Sequence, residues 1–289
     1  MHDNPPAVST ADFSLSDHHV ISLTGRDAVA FAQAQFMNDV SALITGHWQW
    51  NGWLTPKGRV IALFALLRIQ DDQVWLLLPD ADAVAIVAAL QRFVFRSKVV
   101  IAVRDDLVSA AFSVPQTQGA RLGGSVAGIV ELDMSGAAGP RQLCIGANAP
   151  ADDGLLLRWR AFDLLHGLPR LPASQIEHWT PQQLSLERLR AFSIKKGCYP
   201  GQEIVARTHF LGKAKRGLML VESRHPLAAG AQLHAAGSAS AIGTLVACAG
   251  IAADRCLALA VVPLEREAGE LVVDGLSVAE VALSGGLAR

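Results

Sequence analysis

Apolar residues recur along the chain with two different periods. "HHVISLTG" (18–25) reads as a short strand ending at Gly25, and "HWQWNGWL" (47–54) alternates apolar and polar positions like a strand. Between them, Val29, Phe31, Ala32, Phe36 and Val40 fall at helical spacing in "RDAVAFAQAQFMNDV". The turn "TPKG" (55–58) joins the second strand to "RVIALFALLRI", and "QDDQ" turns that strand into "VWLLL". An antiparallel meander follows from this order. Asp80 or Asp82 is placed to cap a helix over "AVAIVAALQRFVF", after which "KVVIAV" and "LVSAAFSV" return to strand character.

The middle of the chain is rich in glycine and reads as loops between short strands, "LGGSVAG" among the loops and "QLCIG" among the strands. "GLLLRWRAFDLLHGLP" fits a helix stopped by Gly167 and Pro169. "TPQQLSLERLRAF" fits a second, with Thr180 as cap and Pro181 at its first position. Beyond Lys213 the pattern changes to short strand candidates separated by turns: "KRGLMLVES", "AQLHAA", "AIGTLVACAG", "RCLALAVVP", "GELVVDG" and "SVAEVAL". The expected organisation is an α+β region over 1–212, of two subdomains, followed by a small β-barrel over 213–289.

Composition adds exclusions. Hydrophobic residues make up 51% and charged residues 18% of 289, which is a globular balance. A formal net charge of −1 gives no global pull on nucleic acid or anionic membrane. The apolar runs stop short of the ~20 residues a membrane helix needs. The start, "MHDNPPAVSTADF", lacks the pattern of a secretion signal, so the expectation is a cytoplasmic protein with a flexible first dozen residues. Four scattered cysteines do not make a disulfide framework. Neither a zinc nor an iron–sulfur ligand spacing occurs, and His18-His19 reads as a strand edge, so no metal site is expected.

One thiol stands apart. Cys144, Cys248 and Cys256 lie in apolar strands and read as buried. Cys198 lies in "KKGCYPGQE" (195–203), after two lysines and before a Pro-Gly turn. Lys195 and Lys196 would favour its thiolate, and Gly197 removes bulk beside it. "QEIVARTHF" then reads as a helix with Glu203 and Arg207 paired four residues apart, whose N-terminus would favour the thiolate further. The reading is an activated, exposed thiol.

"KKGCYPGQE" resembles the K-G-C-Y-x-G-Q-E signature of the YgfZ family, folate-binding relatives of the aminomethyltransferase of the glycine cleavage system. The fixed positions are Lys196, Gly197, Cys198, Tyr199, Gly201, Gln202 and Glu203. "LTGRDAVAFAQAQFMNDV", with its Q-x-Q-x-x-x-DV pattern, "LTPKGRV", "FRSKV", "WRAFDLLHGLP" and "VARTHFLGKAKRGL" resemble further family blocks. The resemblance implies a ring of antiparallel-sheet and helix subdomains closed by a β-barrel. It implies tetrahydrofolate, or a one-carbon derivative, as cofactor. It also implies support for assembly or repair of iron–sulfur enzymes, and through them an effect on tRNA thiomethylation, with iron–sulfur proteins or their assembly factors as partners. Trp159 lines up with a folate-contacting tryptophan, where core packing is the competing reading. His18 or His19 falls near the place of a second one. Lys195, Lys196, Arg207, Lys213, Lys215 and Arg216 would attract the glutamate tail of folate if they face one cleft.

In the aminomethyltransferases an acidic pair stands where this chain has Ala62 and Leu63. Apolar residues cannot do acid–base work, so conventional aminomethyl transfer is disfavoured. A folate-dependent one-carbon transferase is the alternative function. Net charge leaves room for a local basic patch, but direct RNA binding by the basic stretch is disfavoured by the near-neutral charge and the absence of an interleaved aromatic-basic pattern, so direct nucleic-acid binding is not expected.

Overall fold

The computed structural model describes residues 11–124, 128–210, 214–252 and 254–289. Residues 1–10 of the expected N-terminal tail, residues 125–127 of the "LGGSVAG" loop, Lys213 and the expected boundary at 212/213 lie outside the described residues, and Gly123 and Gly124, expected in that loop, instead pair as a strand with Glu131 and Val130.

The described chain opens with β1 (Phe13–Ser14), β2 (His18–Thr24), α1 (Ala28–Gln35), β3 (His47–Leu54), β4 (Val60–Gln70), β5 (Gln73–Pro79), α2 (Ala83–Gln91) and β6 (Val100–Arg104). Strands β3-β4-β5-β2-β6 form one antiparallel sheet in that order. The expected meander, β3-β4-β5, forms one side of it with β3 at the edge, and Gly58 N donates to Thr55 O in the β3–β4 turn. Asp82, of the two candidates, caps α2 by accepting from Ala85 N at 3.0 Å. One face of the sheet packs on α1 and α2 through Phe36, Phe64, Leu76 and Leu90.

Helix α1 is shorter than its apolar periodicity. Phe36 turns extended and makes a β-bridge to Trp53, with the two rings of Phe36 and Phe64 edge-on at 5.0 Å. Burial against the sheet outweighs the further turn of helix, residues 36–40, that the periodicity predicts.

Next come β7 (Val108–Ala111), β8 (Gly123–Gly124), β9 (Val130–Asp133) and β10 (Gln142–Ile145), which join β1 in a second sheet of order β1-β7-β10-β9-β8. Helix α3 (Asp153–Leu165) follows, capped by Asp152 through Leu155 N and stopped at Gly167, whose φ of +70° glycine adopts readily. The largest apolar core lies between the sheets and includes Phe13, Trp48, Trp50, Leu132 and Trp159.

The helix expected from Thr180 is absent. Ser185 and Arg190 adopt left-handed backbone and flank a single 3-10 turn, Leu186–Leu189. Long-range bonds hold these exceptions: Ser185 Oγ accepts from Leu218 N, and Arg190 O accepts from Asn38 Nδ2. Helix α4 (Gln202–Phe210) forms as expected.

The remaining strands, β11 (Arg216–Ser223), β12 (Gln232–Ala235), β13 (Ala241–Ala252), β14 (Arg255–Pro263), β15 (Leu271–Val273) and β16 (Leu276–Val281), close a six-stranded barrel. Met219, Val221, Leu245, Ala258 and Val273 fill it. Its outer wall, at Leu220, Ala247 and Leu259, packs on Ala161 and Leu164 of α3.

Candidate functional site

Cys198 is exposed, at the apex of a loop fixed on both sides. On one side Lys196 turns inward. Its Nζ donates to Gln33 O and Phe36 O at 2.5 Å and to Asn38 O at 3.1 Å. These carbonyls lie at and just past the C-terminal end of α1, where helices leave acceptors without partners. Burial pushes the ammonium down from 10.5 to about 8. The expectation that Lys196 lends its charge to the thiol is therefore corrected. Its charge serves α1, and Lys195 is the exposed lysine of the pair.

On the other side Tyr199 is buried, its hydroxyl donating to Ser193 O at 3.3 Å and its pKa raised by burial to about 12. Gln202 Nε2 donates to Lys196 O at 3.0 Å, closing the loop on itself. Gly201 has φ +79°, and a Cβ there would lie 2.6 Å from Thr55 O and 2.7 Å from Gly58 Cα. The loop and the β3–β4 turn touch backbone to backbone, which only glycine permits. Gly197 has open space around it, so nothing there demands a missing side chain. Glu203 and Arg207 pair at 2.6 Å on an exposed face of α4.

Three separated blocks thus meet at this corner. Gln33 braces the chain after α1, donating to Asp39 Oδ1 at 3.1 Å and accepting from Val40 N at 2.7 Å. Asn38 ties the same segment to Trp50 O and Arg190 O. Gln33, Asn38 and Ser193 were not singled out from the sequence. The Q-x-Q-x-x-x-DV pattern holds Gln33 at a fixed position and Asn38 at an open one, whereas Ser193 lies outside it and had no signal.

The residues matched to folate contacts lie elsewhere. Trp159 is fully buried, edge-on to Phe13 and Phe112, with the Arg141 guanidinium 4.1 Å from its ring centroid. A flat ligand reaching it would have to displace those groups. His18 is buried too, with Nδ1 2.7 Å from Asp17 Oδ1. The two are joined through a buried charge network. Arg141 donates to Asp163 at 2.7 Å, and Arg170 donates to Asp163 at 2.9 Å, to Asp17 at 2.7 Å and to both oxygens of Asp80. Arg160 adds two bonds to Asp17, at 2.9 and 2.8 Å. Burial alone would raise the Asp17 carboxyl. The hydrogen bond and charge of His18, with Arg170 and Arg160, outweigh it and hold Asp17 well below the usual range.

The network has an open end. Asp80, Arg160 and Arg170 line a cavity of about 370 Å³ with Leu164, Leu227 and Cys248, between α3 and the barrel wall. The sequence did not reveal this cavity, because Asp80 and Arg170, which pair at its wall, are 90 residues apart. The cavity and the thiol corner sit at the same end of the first sheet, where β4 starts and β5 ends.

Three of the basic residues expected around the thiol are engaged by other groups, while Lys213 lies outside the described residues. Lys196 is caged, Arg207 is paired with Glu203, and Arg216 donates to Ile242 O of the barrel. Of the other thiols, Cys256 is buried, whereas Cys144 and Cys248 are half-buried, short of the full burial expected. Burial still raises Cys144 to about 11 and Cys248 to about 12. Ala62 and Leu63 are buried in β4. Among the described residues, no group of three or more His, Cys, Asp or Glu side chains could hold a metal ion, and no helix is long and apolar enough to cross a membrane.

No protein-family model matches the chain. The tRNA-modifying protein YgfZ of Vibrio vulnificus (strain CMCP6) is 31% identical over 216 residues, spanning 69% of this chain and 66% of that protein. The protein of the same name from Colwellia psychrerythraea is 29% identical over 231 residues, 73% of this chain and 71% of the relative. Among solved structures, the glycine cleavage system aminomethyltransferase T from Bartonella henselae superposes with a TM-score of 0.69 at 16% identity, over 96% of this chain and 84% of that one. That likeness establishes an aminomethyltransferase-like fold, α+β with a closed C-terminal barrel.

Proposed function

The chain belongs to the YgfZ family, and from that premise we propose that it is a tetrahydrofolate-binding accessory protein for the assembly or repair of iron–sulfur enzymes, with Cys198 as its working thiol. Its link to tRNA modification, the activity for which its relatives are named, runs through those enzymes. The observation that carries the reading is an exposed thiol on a loop nailed down at Lys196 and Gly201. A cysteine held out to solvent on a rigid support is built to meet another molecule. As thiolate it attacks one sulfur of a partner's disulfide and releases the other as thiolate, it accepts the outer sulfur of a partner's persulfide while the partner's own sulfur leaves as thiolate, or it ligates an iron ion in transit without change of oxidation state.

The lining of the cavity beside the charge network supports placing tetrahydrofolate there. A carboxylate, Asp80, suits the N–H edge of a pterin, the guanidinium of Arg160 suits a glutamate carboxylate, and Leu164 and Leu227 supply apolar wall. When bound, folate would supply one-carbon chemistry or act as a regulatory ligand. Trp159 and His18 would then act from behind, by holding Arg141, Asp163, Arg170 and Asp17 in place. Arg207, paired on the far side of α4's turn with Glu203, plays no part in that arrangement.

Two experiments test the parts separately. Calorimetry with tetrahydrofolate should give heat and a thermal shift in wild type and a weaker response in Arg160→Ala. No heat and no shift in wild type removes the folate claim. In a deletion strain, Cys198→Ser should leave iron–sulfur enzyme activity low, and full restoration removes the thiol claim. Aminomethyl transfer is a second reading, favoured by the fold likeness and opposed by the apolar Ala62 and Leu63.

A further inference from the structure

Large apolar side chains point outward where α2 runs into β6. Phe95 is 88% exposed, Phe93 50% and Val100 69%. Phe95 also holds a backbone φ of +34°, a region that costs energy for any residue but glycine. Its burial cannot repay that cost, because the ring lies in water.

The charges around it are of one sign. Between Asp82 and Asp105 the sequence has no acid, while Arg92, Arg96 and Lys98 flank the two rings in the order Arg-Phe-Val-Phe-Arg-Ser-Lys. All three cations are exposed. The Arg96 guanidinium sits 5.2 Å from the Phe95 ring centroid, a cation already placed against an aromatic face. Lys98 N is tied to Asp27 Oδ2 at 2.6 Å, which fixes the end of the segment. Phe93 packs edge-on to Trp53 at 6.2 Å, two residues before the turn that holds Gly201. The stretch thus borders the thiol corner.

We propose that this segment, Arg92 to Lys98, is a contact surface for single-stranded RNA. Phe93 and Phe95 serve as stacking platforms, and Arg92, Arg96 and Lys98 track the phosphates. Exposed rings interleaved with cations are the combination that binds unpaired nucleotides, and the near-neutral net charge of the chain hides it. Two rings and three cations match about two or three nucleotides. The choice of RNA over DNA rests on the reading that links the chain to tRNA. The surface itself depends on neither folate nor Cys198.

Fluorescence anisotropy with labelled oligouridine, oligothymidine and the single-stranded 3′ end of a tRNA tests this on the full chain. Wild type should bind the two RNAs, with affinity falling about ten-fold for a three-fold rise in salt, as three phosphate contacts on a single strand require. Phe95→Ala should weaken binding about ten-fold. Arg96→Glu should also weaken it and flatten the salt dependence, and both variants should keep the wild-type melting temperature. Absence of RNA binding overturns the proposal, as does binding that the two variants leave unchanged. Equal or tighter binding of oligothymidine overturns the RNA assignment. Binding to anionic phospholipid vesicles but to neither RNA transfers the surface to a membrane role. Cys198→Ser should bind RNA like wild type, so failure of the thiol reading and failure of this one are told apart.

Discussion

Lys196→Met keeps the aliphatic stem and removes the ammonium that holds three carbonyls. A hydrogen bond to a charged group contributes ~1.5–3 kcal/mol, so three together contribute roughly 5–9 kcal/mol. Burying the charge works against this. The fall from 10.5 to about 8 corresponds to about 3 kcal/mol at ~1.4 kcal/mol per unit. The net cost of the substitution is about 2–5 kcal/mol, large beside the ~5–15 kcal/mol that holds a typical domain folded. Urea unfolding followed by tryptophan fluorescence should show a lower midpoint with an unchanged slope. The pH dependence has a defined sign. The folded pKa lies below the unfolded one, so between about 8 and 10.5 the unfolded chain binds more protons and wild-type stability rises with pH. The variant lacks that term. The gap between the two proteins should widen by about 1 kcal/mol over the first pH unit above 8. A variant within about 0.5 kcal/mol of wild type, or a gap that narrows with pH, refutes the reasoning.

Gly201→Ala should cost about 2–4 kcal/mol in thermal or urea unfolding, from a strained φ and a 2.6 Å approach to Thr55 O, whereas Gly197→Ala, in open space, should stay within about 0.5 kcal/mol. In the native protein, maleimide read by peptide mass spectrometry at neutral pH should label Cys198 well before Cys144, Cys248 and Cys256, and equal rates would contradict its exposure. Arg170→Met leaves Asp17, Asp80 and Asp163 without their shared partner and should destabilise by about 3–5 kcal/mol. Because Asp17 is depressed in the folded state, its stabilisation is present above the ordinary carboxylate range and lost as pH falls below it. That variant should therefore unfold in acid at a higher pH than wild type, and an unchanged acid midpoint counts against the network.

The longer strands of the first sheet were legible because each is an apolar run with its own turn signal, and the barrel because six such runs follow one another without a helical pattern, whereas the short β1, β8 and β9 carry no such run of their own. The helix expected from Thr180 failed because no local rule encodes the left-handed Ser185 and Arg190, which answer to Leu218 and Asn38 far away in sequence. The thiol was legible as exposed from its charged and glycine-rich neighbours. Lys196 was misjudged because sequence distance places a lysine near a cysteine without saying which way its side chain turns. The charge network was invisible for a related reason. Asp17, Asp80 and Asp163 each look like an ordinary surface acid until the fold brings Arg170 between them.

Lys195 and Lys196 are chemically identical neighbours with opposite access to solvent. An acylating reagent meets the first directly and the second only when the corner opens and the three carbonyls let go. The ratio of the two labelling rates is then a clock for local opening, read within a single peptide and free of differences in reagent or chain. A client, a folate or an RNA that tightens this corner would slow the clock at Lys196 and leave Lys195 ticking as before.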